Sequence, residues 1–404
     1  MTPDPSAARA EPDRAARRAR GAVSALFLTN GALYANVVPR LPEIKDALGL
    51  SDTLYGASIA AMPVGALISG LAAASLIRRV GSGRLAAIGS VLLAVAMLGI
   101  GLAPLPILFA LALFTAGLLD SVTDVAQNAH GLRVQRRYGR SIINGFHALW
   151  SLGAVVGGLM SAGAIALGLP LGIHLAITGL IFALTAVVAS RFALPGPEEE
   201  SGETDAPRPS AAAPGRLTPR VAFIMAGLAV IAIAGTIVEE VGSSWATLYM
   251  RESLGAAAVL APMGFIALIG SQFIGRLVGD RLVDRFGQRM VAVAGGLLVA
   301  VGMGSALAVP TIPGTLIGFA AAGFGVATLV PAAMHAADEL PGLRPGSGLT
   351  VVTWLMRLGF LISPLVIGAI SDATELRVSL LIVPVSGVLV VLLSGFLERR
   401  RGRG

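Results

Sequence analysis

The chain has 404 residues, of which 55% are apolar and 13% charged, where soluble domains run near 45–50% and about 25%. Apolar runs of roughly 18 or more residues recur along it, each able to cross a ~30 Å hydrocarbon layer as a helix. This excludes a soluble fold and a disordered chain, and the runs lack the alternation of a membrane β-barrel. What remains is an all-α polytopic membrane protein.

Residues 1–20 are polar and arginine-rich, and the apolar stretch that follows is broken by Thr29, Asn30, Tyr34 and Asn36. That pattern predicts a cytoplasmic tail ahead of a first span, not a cleaved signal. Spans are expected at about 21–39, 53–77, 85–103, 106–130, 142–168, 171–192, 221–249, 257–282, 290–309, 314–336, 347–370 and 377–397, twelve in all. Residues 193–219 hold six prolines and the acidic run Glu198–Glu199–Glu200 without any apolar period, as a cytoplasmic linker would. The expected organisation is a tail (1–20), a six-helix bundle (21–192), the linker (193–219), a second six-helix bundle (220–397) and a C-terminal tail (398–404).

Loops on the side of the two tails carry 25 Lys and Arg, against four on the other side: Arg40, Lys45, Arg251 and Arg377. By the positive-inside rule both termini lie in the cytoplasm. The net charge of +7 thus sets topology and does not point to nucleic acid. Cysteine is absent, which excludes disulfides and thiolate chemistry. Neither a G-x-x-x-x-G-K-[ST] loop nor HExxH or GxSxG is present, so neither ATP nor hydrolytic catalysis is expected. No enzyme activity, cofactor or metal is predicted.

Ionisable residues within spans are costly, about 2.5–3.5 kcal/mol each, and mark functional sites. In the fourth span Asp120, Thr123, Asp124, Gln127 and Asn128 share one helical face. Two carboxylates one turn apart repel when both are ionised, which suits proton exchange. In the fifth span Asn144, His147 and Ser151 share a face, and a His147–Asp124 contact is expected as a relay or inner gate. Arg357 lies ten residues into the eleventh span, about 15 Å deep, with Thr350 and Thr353 on its face. It requires a carboxylate or an anionic cargo group, and Asp120 is the expected partner by depth. Asn30, Tyr34 and Asn36 are expected to face a cavity. Structural roles are expected for His174 and His335.

The halves look duplicated. Leu48–Gly49 and Arg79-x-Gly81 recur as Leu254–Gly255 and Arg285-x-Gly287 at a constant offset of 206 residues, as in parallel repeats. Asp284–Arg285–Phe286–Gly287–Gln288–Arg289 resembles the cytoplasmic loop signature of the major facilitator superfamily; the first-half loop carries Arg78 where the acid belongs. Arg40-x-Pro42, Leu48–Gly49–Leu50–Ser51–Asp52, Asp124–Val125–Ala126-x-Asn128, Phe146–His147 and Gly279–Asp280–Arg281–Leu282 resemble one bacterial subgroup, as does Glu239 six residues before Trp245. Ser244 and Glu240 depart from that pattern.

The resemblance implies the twelve-helix fold of that superfamily in the bacterial inner membrane, and a cavity lined by spans 1, 4, 7 and 10. It further implies a monomeric secondary transporter working by alternating access on a small polar or amphipathic molecule, with protons as the second partner. A non-transporting receptor or assembly protein is the alternative. Asp284 and Arg285 would latch the cytoplasmic side. Spans 1 and 7 would meet at the outer gate, where an Arg40–Glu239 bridge with Glu240 alongside is expected. Asn30, Tyr34, Asn36, Asp120, Asp124, Asn128, His147, Glu239 and Arg357 are the expected binding or coupling residues. The motifs Gly153-x-x-x-Gly157 and Gly275-x-x-x-Gly279 are expected to pack the halves against each other.

Overall fold

The computed structural model describes residues 13–139, 141–195, 218–340, 343 and 347–397; the linker core and the C-terminal tail lie outside them, as do residues 1–12. Every regular element among the described residues is helical. The main helices are α1 (Arg14–Val37), α2 (Asp52–Val80), α3 (Ser82–Leu102), α4 (Pro106–Tyr138), α5 (Ile143–Ala166) and α6 (Leu171–Ser190). The second half holds α7 (Pro219–Ser244), α8 (Met263–Phe286), α9 (Gln288–Ala308), α10 (Ile312–Asp338), α11 (Ser347–Ala373) and α12 (Leu376–Phe396).

Eleven of these helices are long and apolar enough to cross a membrane. The exception is α8, into which the sequence places Arg276, Asp280, Arg281, Asp284 and Arg285, so the count of twelve is not met on apolar length alone.

Local chemistry fixes the ends. Asp13 accepts the Ala16 amide at 2.6 Å, starting α1 seven residues before the expected position. The added turns bury Ala16 and Ala19 against Val134 and Tyr138. Ser51, Thr218 and Thr311 cap α2, α7 and α10 in the same manner, each satisfying an orphan amide. Contrary to expectation, α7 stops at Ser244 and α8 starts only at Met263. Helix α10 breaks at Ala327–Thr328, because Pro331 lacks the amide that would bond back to Ala327.

Helix packing repeats along the chain. In the first half α1 packs on α5 and α6, α2 on α4, and α3 on α4 and α6; in the second α7 packs on α11 and α12, α8 on α10, and α9 on α10 and α12. Each pair recurs six helices later. The halves join through α2 with α11 and α5 with α8, two pairs that interchange when the halves are exchanged. The backbone repeats as well: Gly49 and Gly255 both have φ 60°, and Gly81 and Gly287 have φ 87° and 82°, values that glycine tolerates and a side chain resists.

Large apolar side chains stand exposed on α3, α6, α9 and α12, among them Val95, Leu180, Val301 and Leu392, the surface a bilayer would cover. The glycine motifs do not pack across the halves. Gly153 and Gly157 lie against Leu28 and Ala32 of α1, and Gly275 and Gly279 against Phe324, Ala327 and Thr328 of α10. Each lets backbones approach within its own half. Between the halves it is Gly158 that meets Phe265 and Ile266 of α8.

Candidate functional site at the interface of the halves

Since the crossings alternate, α1 begins and α12 ends on one side, called here the tail side; the opposite is the far side. Three polar groupings occupy the interface, contributed by α1, α4, α5, α7, α8 and α11.

The first joins α1, α4 and α5. The Asn30 amide nitrogen donates to Asp120 Oδ1 at 2.9 Å, and Trp150 Nε1 donates to Asn30 Oδ1 at 2.7 Å. Asp120 is therefore held by a neutral amide, and the expected Asp120–Arg357 pair is not formed. The second runs along α4 to α5: Asn128 donates to Asp124 Oδ1 at 3.0 Å, and its Oδ1 lies 3.1 Å from His147 Nε2. His147 thus meets Asp124 through Asn128 instead of directly. The Asn128 amide protons go to the Asp124 carboxylate and backbone carbonyl, so His147 must donate from Nε2. That leaves Nδ1 open on an exposed ring. Phe27 packs edge-on against the ring at 5.2 Å.

The third grouping spans the halves. Arg276 of α8 donates to Ser151 Oγ of α5 at 3.3 Å and stands 3.5 Å from Glu239 of α7. Arg357 of α11 lies over Trp354, 6.0 Å from the ring centre, and close enough to Asp124 for their charges to interact. Its guanidinium passes Gly70 of α2, where an added methyl would stand 3.8 Å away.

Other expectations are corrected. Asn36 is buried away from this face, bonded to Ala32 O at 2.8 Å and to His174 Nε2 at 2.9 Å. Arg40 does not reach Glu239; it donates to Leu169 O at 2.6 Å and pairs with Glu43 at 3.1 Å. The short helix Leu41–Ala47, beginning beside Arg40, turns that side chain toward the start of α6. Glu240 is buried and accepts from Ser244 at 2.5 Å, with Tyr34 of α1 nearby. On the tail side Asp284 is exposed and forms no ion pair with a described residue, and Arg285 lies over its own neighbour Phe286 at 5.2 Å. Among the described residues, Asp284 therefore forms no latch on the tail side.

On the far side the halves are joined by residues outside the predicted set. Lys45 pairs with Glu252 at 3.0 Å and Arg251 with Asp46 at 2.5 Å. Each pair joins one half to the other. Lys45 and Asp46 are the counterparts of Arg251 and Glu252 at the same 206-residue offset, so the two bridges are one contact made twice. Lys45 also meets Asp52 at 3.1 Å. Asp372 of α11 accepts the Asp52 and Thr53 amides at 2.9 and 2.8 Å, capping α2 from the opposite half, and Ser371 donates to Asp52. Beneath, Tyr55 donates to Ser244 O at 2.7 Å and packs edge-on against Trp245, both rings fully buried. Extending the offset by four residues from Gly49 would have found the two bridges.

By sequence comparison, the model of the Major Facilitator Superfamily matches residues 23–282 and 271–404. The chain belongs to the Major Facilitator Superfamily. It is 28% identical over 377 residues to y4wD, an uncharacterized transporter of Sinorhizobium fredii (strain NBRC 101917 / NGR234), covering 93% of this chain and 97% of that one. Among solved structures, the D-xylose-proton symporter superposes with a TM-score of 0.72 at 16% identity, covering 96% of this chain and 99% of the other. A bacterial homolog of the human lysosomal transporter Spinster, in an inward-facing and unoccupied conformation, gives 0.72 at 14% identity, covering 95% and 98%. The chain is therefore a multi-pass membrane protein with the fold of the superfamily's transporters.

Proposed function

We propose that the chain is a secondary active transporter of a small polar or amphipathic molecule, coupled to protons and working by alternating access. The observation that carries this reading is the unequal linkage of the halves. Paired charges clamp the far side, while titratable and amide groups of both halves face one another at mid-depth. In this reading the six-helix units 21–192 and 220–397, tethered by 193–219, rock about that polar face. The 25-to-4 bias of basic residues makes the tail side cytoplasmic, and the arrangement described is inward-open. Lys45, Asp46, Arg251 and Glu252 then form the outer gate in place of Arg40 and Glu239.

Asp120 is the proton carrier in this scheme. It sits among helices with an amide partner and no cation within ion-pair distance among the described residues. A neutral donor of this kind satisfies the carboxyl in either protonation state. Asp124, Asn128 and His147 continue the path toward the cytoplasm, with Arg357 opposite Asp124. That the D-xylose neighbour is a proton symporter supports coupling as a property this fold accommodates. The test is reconstitution: substrate flux should move protons across proteoliposomes, and Asp120→Asn should abolish gradient-driven accumulation while sparing exchange. Normal accumulation by that variant removes Asp120 from the role.

A further inference from the structure

Arg276 stands where α8 packs on α5 of the other half. Its guanidinium reaches Ser151 Oγ at 3.3 Å and Glu239 Oε1 at 3.5 Å. Both contacts are long, since charge-assisted N–H···O bonds usually close to about 2.7–2.9 Å. A guanidinium offers five donors in a planar fork, and here two loose contacts leave that fork largely unfilled. The Arg276 side chain is 37% exposed, against 21% for Glu239, and its two contacts come from α5 and α7, one in each half.

The other acids of the interface are engaged elsewhere: Asp120 by Asn30, Asp124 by Asn128, and Glu240 by Ser244. Arg357 lies over Trp354 and beside Gly70 of α2. Ser151, which Arg276 reaches, follows Trp150 in the sequence and stands one turn after the exposed His147 ring on α5, and Phe27 packs on that ring. An anion entering from the tail side would meet a fork held by a weak internal competitor, with aromatic surface within reach of its apolar body. A carboxylate docks on such a fork through two parallel bonds, which lysine cannot reproduce.

Resting on the transport reading above, we propose that Arg276 and Ser151 form an anion-recognition point for the cargo, that the cargo is a small organic acid, and that Glu239 is the internal anion holding the guanidinium in place between turnovers. Cargo and Glu239 compete, because two like charges on one guanidinium repel each other.

The test uses the full chain in detergent with three matched probes: benzoate, benzamide and benzylammonium. Binding is read by tryptophan fluorescence, since Trp150 and Trp354 border the interface. Benzoate should bind about tenfold or more tighter than benzamide or benzylammonium, by the strength of charge-assisted bonds. Arg276→Gln should weaken benzoate by a similar factor and leave benzamide unchanged, with Arg276→Lys intermediate. Glu239→Gln should tighten benzoate about three- to tenfold by removing the competitor, a gain that misfolding cannot mimic. Equal or absent binding of the three probes overturns the proposal, as does a Glu239→Gln variant that binds benzoate no better. Far-side labelling of Thr247→Cys, described below, reports access without any ligand. If access still switches when benzoate does not bind, the anion site fails and the transport reading stands; if access never switches, the transport reading fails.

Discussion

Reversing the charge at Lys45 should open the far side. In the closed arrangement Lys45 is 11% exposed and sits between Glu252 and Asp52, 35% and 14% exposed. Exposed pairs contribute about 0.2–1 kcal/mol, and two partly shielded contacts on one ammonium sum to roughly 1–2 kcal/mol in favour of closure. Lys45→Glu removes that and places like charges together, so the closed state loses on the order of 2 kcal/mol, close to a thirtyfold shift at 1.4 kcal/mol per decade. The natural absence of cysteine makes the assay direct. Thr247 is buried at the seal and its hydroxyl has no hydrogen-bond partner among the described residues, so Thr247→Cys is a mild reporter for an impermeant maleimide added from the far side. Labelling should accelerate about ten- to thirtyfold in Lys45→Glu and return to within about threefold of the parent when Glu252→Lys restores opposite charges. Unchanged labelling in the single variant, or no recovery in the swap, would refute the gate.

Three further outcomes follow from the packing and the termini. Gly153→Ala would drive a methyl into the Leu28 carbonyl, while Gly163→Ala meets nothing within 4 Å. The first should cost about 1–3 kcal/mol by overpacking and the second be neutral or slightly stabilising, a contrast that thermal unfolding midpoints in detergent will read. Tyr55→Phe removes the buried bond to Ser244 O, worth about 1 kcal/mol, and should raise far-side labelling roughly fivefold. The Asp13 carboxyl is held below its ordinary 3.8 chiefly by the Ala16 amide and then by Arg137. Because the folded value is depressed, its hold on α1 is present above 3.8 and is lost as pH falls through the folded value. Amide exchange in the first turn of α1 should therefore be faster in Asp13→Ala at neutral pH, with the two proteins converging in acid.

Much of the fold was legible because lipid imposes a simple rule: a helix must be long and apolar to cross. The elements that escaped this rule did so for stated reasons. Helix α8 carries too many charges, α10 breaks before Pro331, and α1 begins early because Asp13 caps it. The site was legible as residues but less so as partners. A shared face on α4 marks Asp120, Asp124 and Asn128 as turned one way, yet helical periodicity cannot tell which side chain of another helix stands opposite. Hence Asp120 meets Asn30 and not Arg357, and Glu239 meets Arg276 and not Arg40. From the sequence Arg276 reads, with Arg281, Arg285 and Arg289, as one of the basic residues around the α8–α9 loop that set topology. Lys45 and Asp46 read as ordinary loop charges until set beside Arg251 and Glu252 at the repeat offset, which turns them into one contact used twice.

The central claim is that closing one side of the interface opens the other. Spin labels can report both sides at once in the cysteine-free chain, at Leu167 and Val309 on the far side and at Leu132 and Met290 toward the tail side, all exposed positions. In Lys45→Glu the far-side distance distribution should lengthen while the tail-side one shortens, and the charge swap with Glu252→Lys should reverse both. Distances that lengthen together, or a tail side that does not respond, would contradict alternating access.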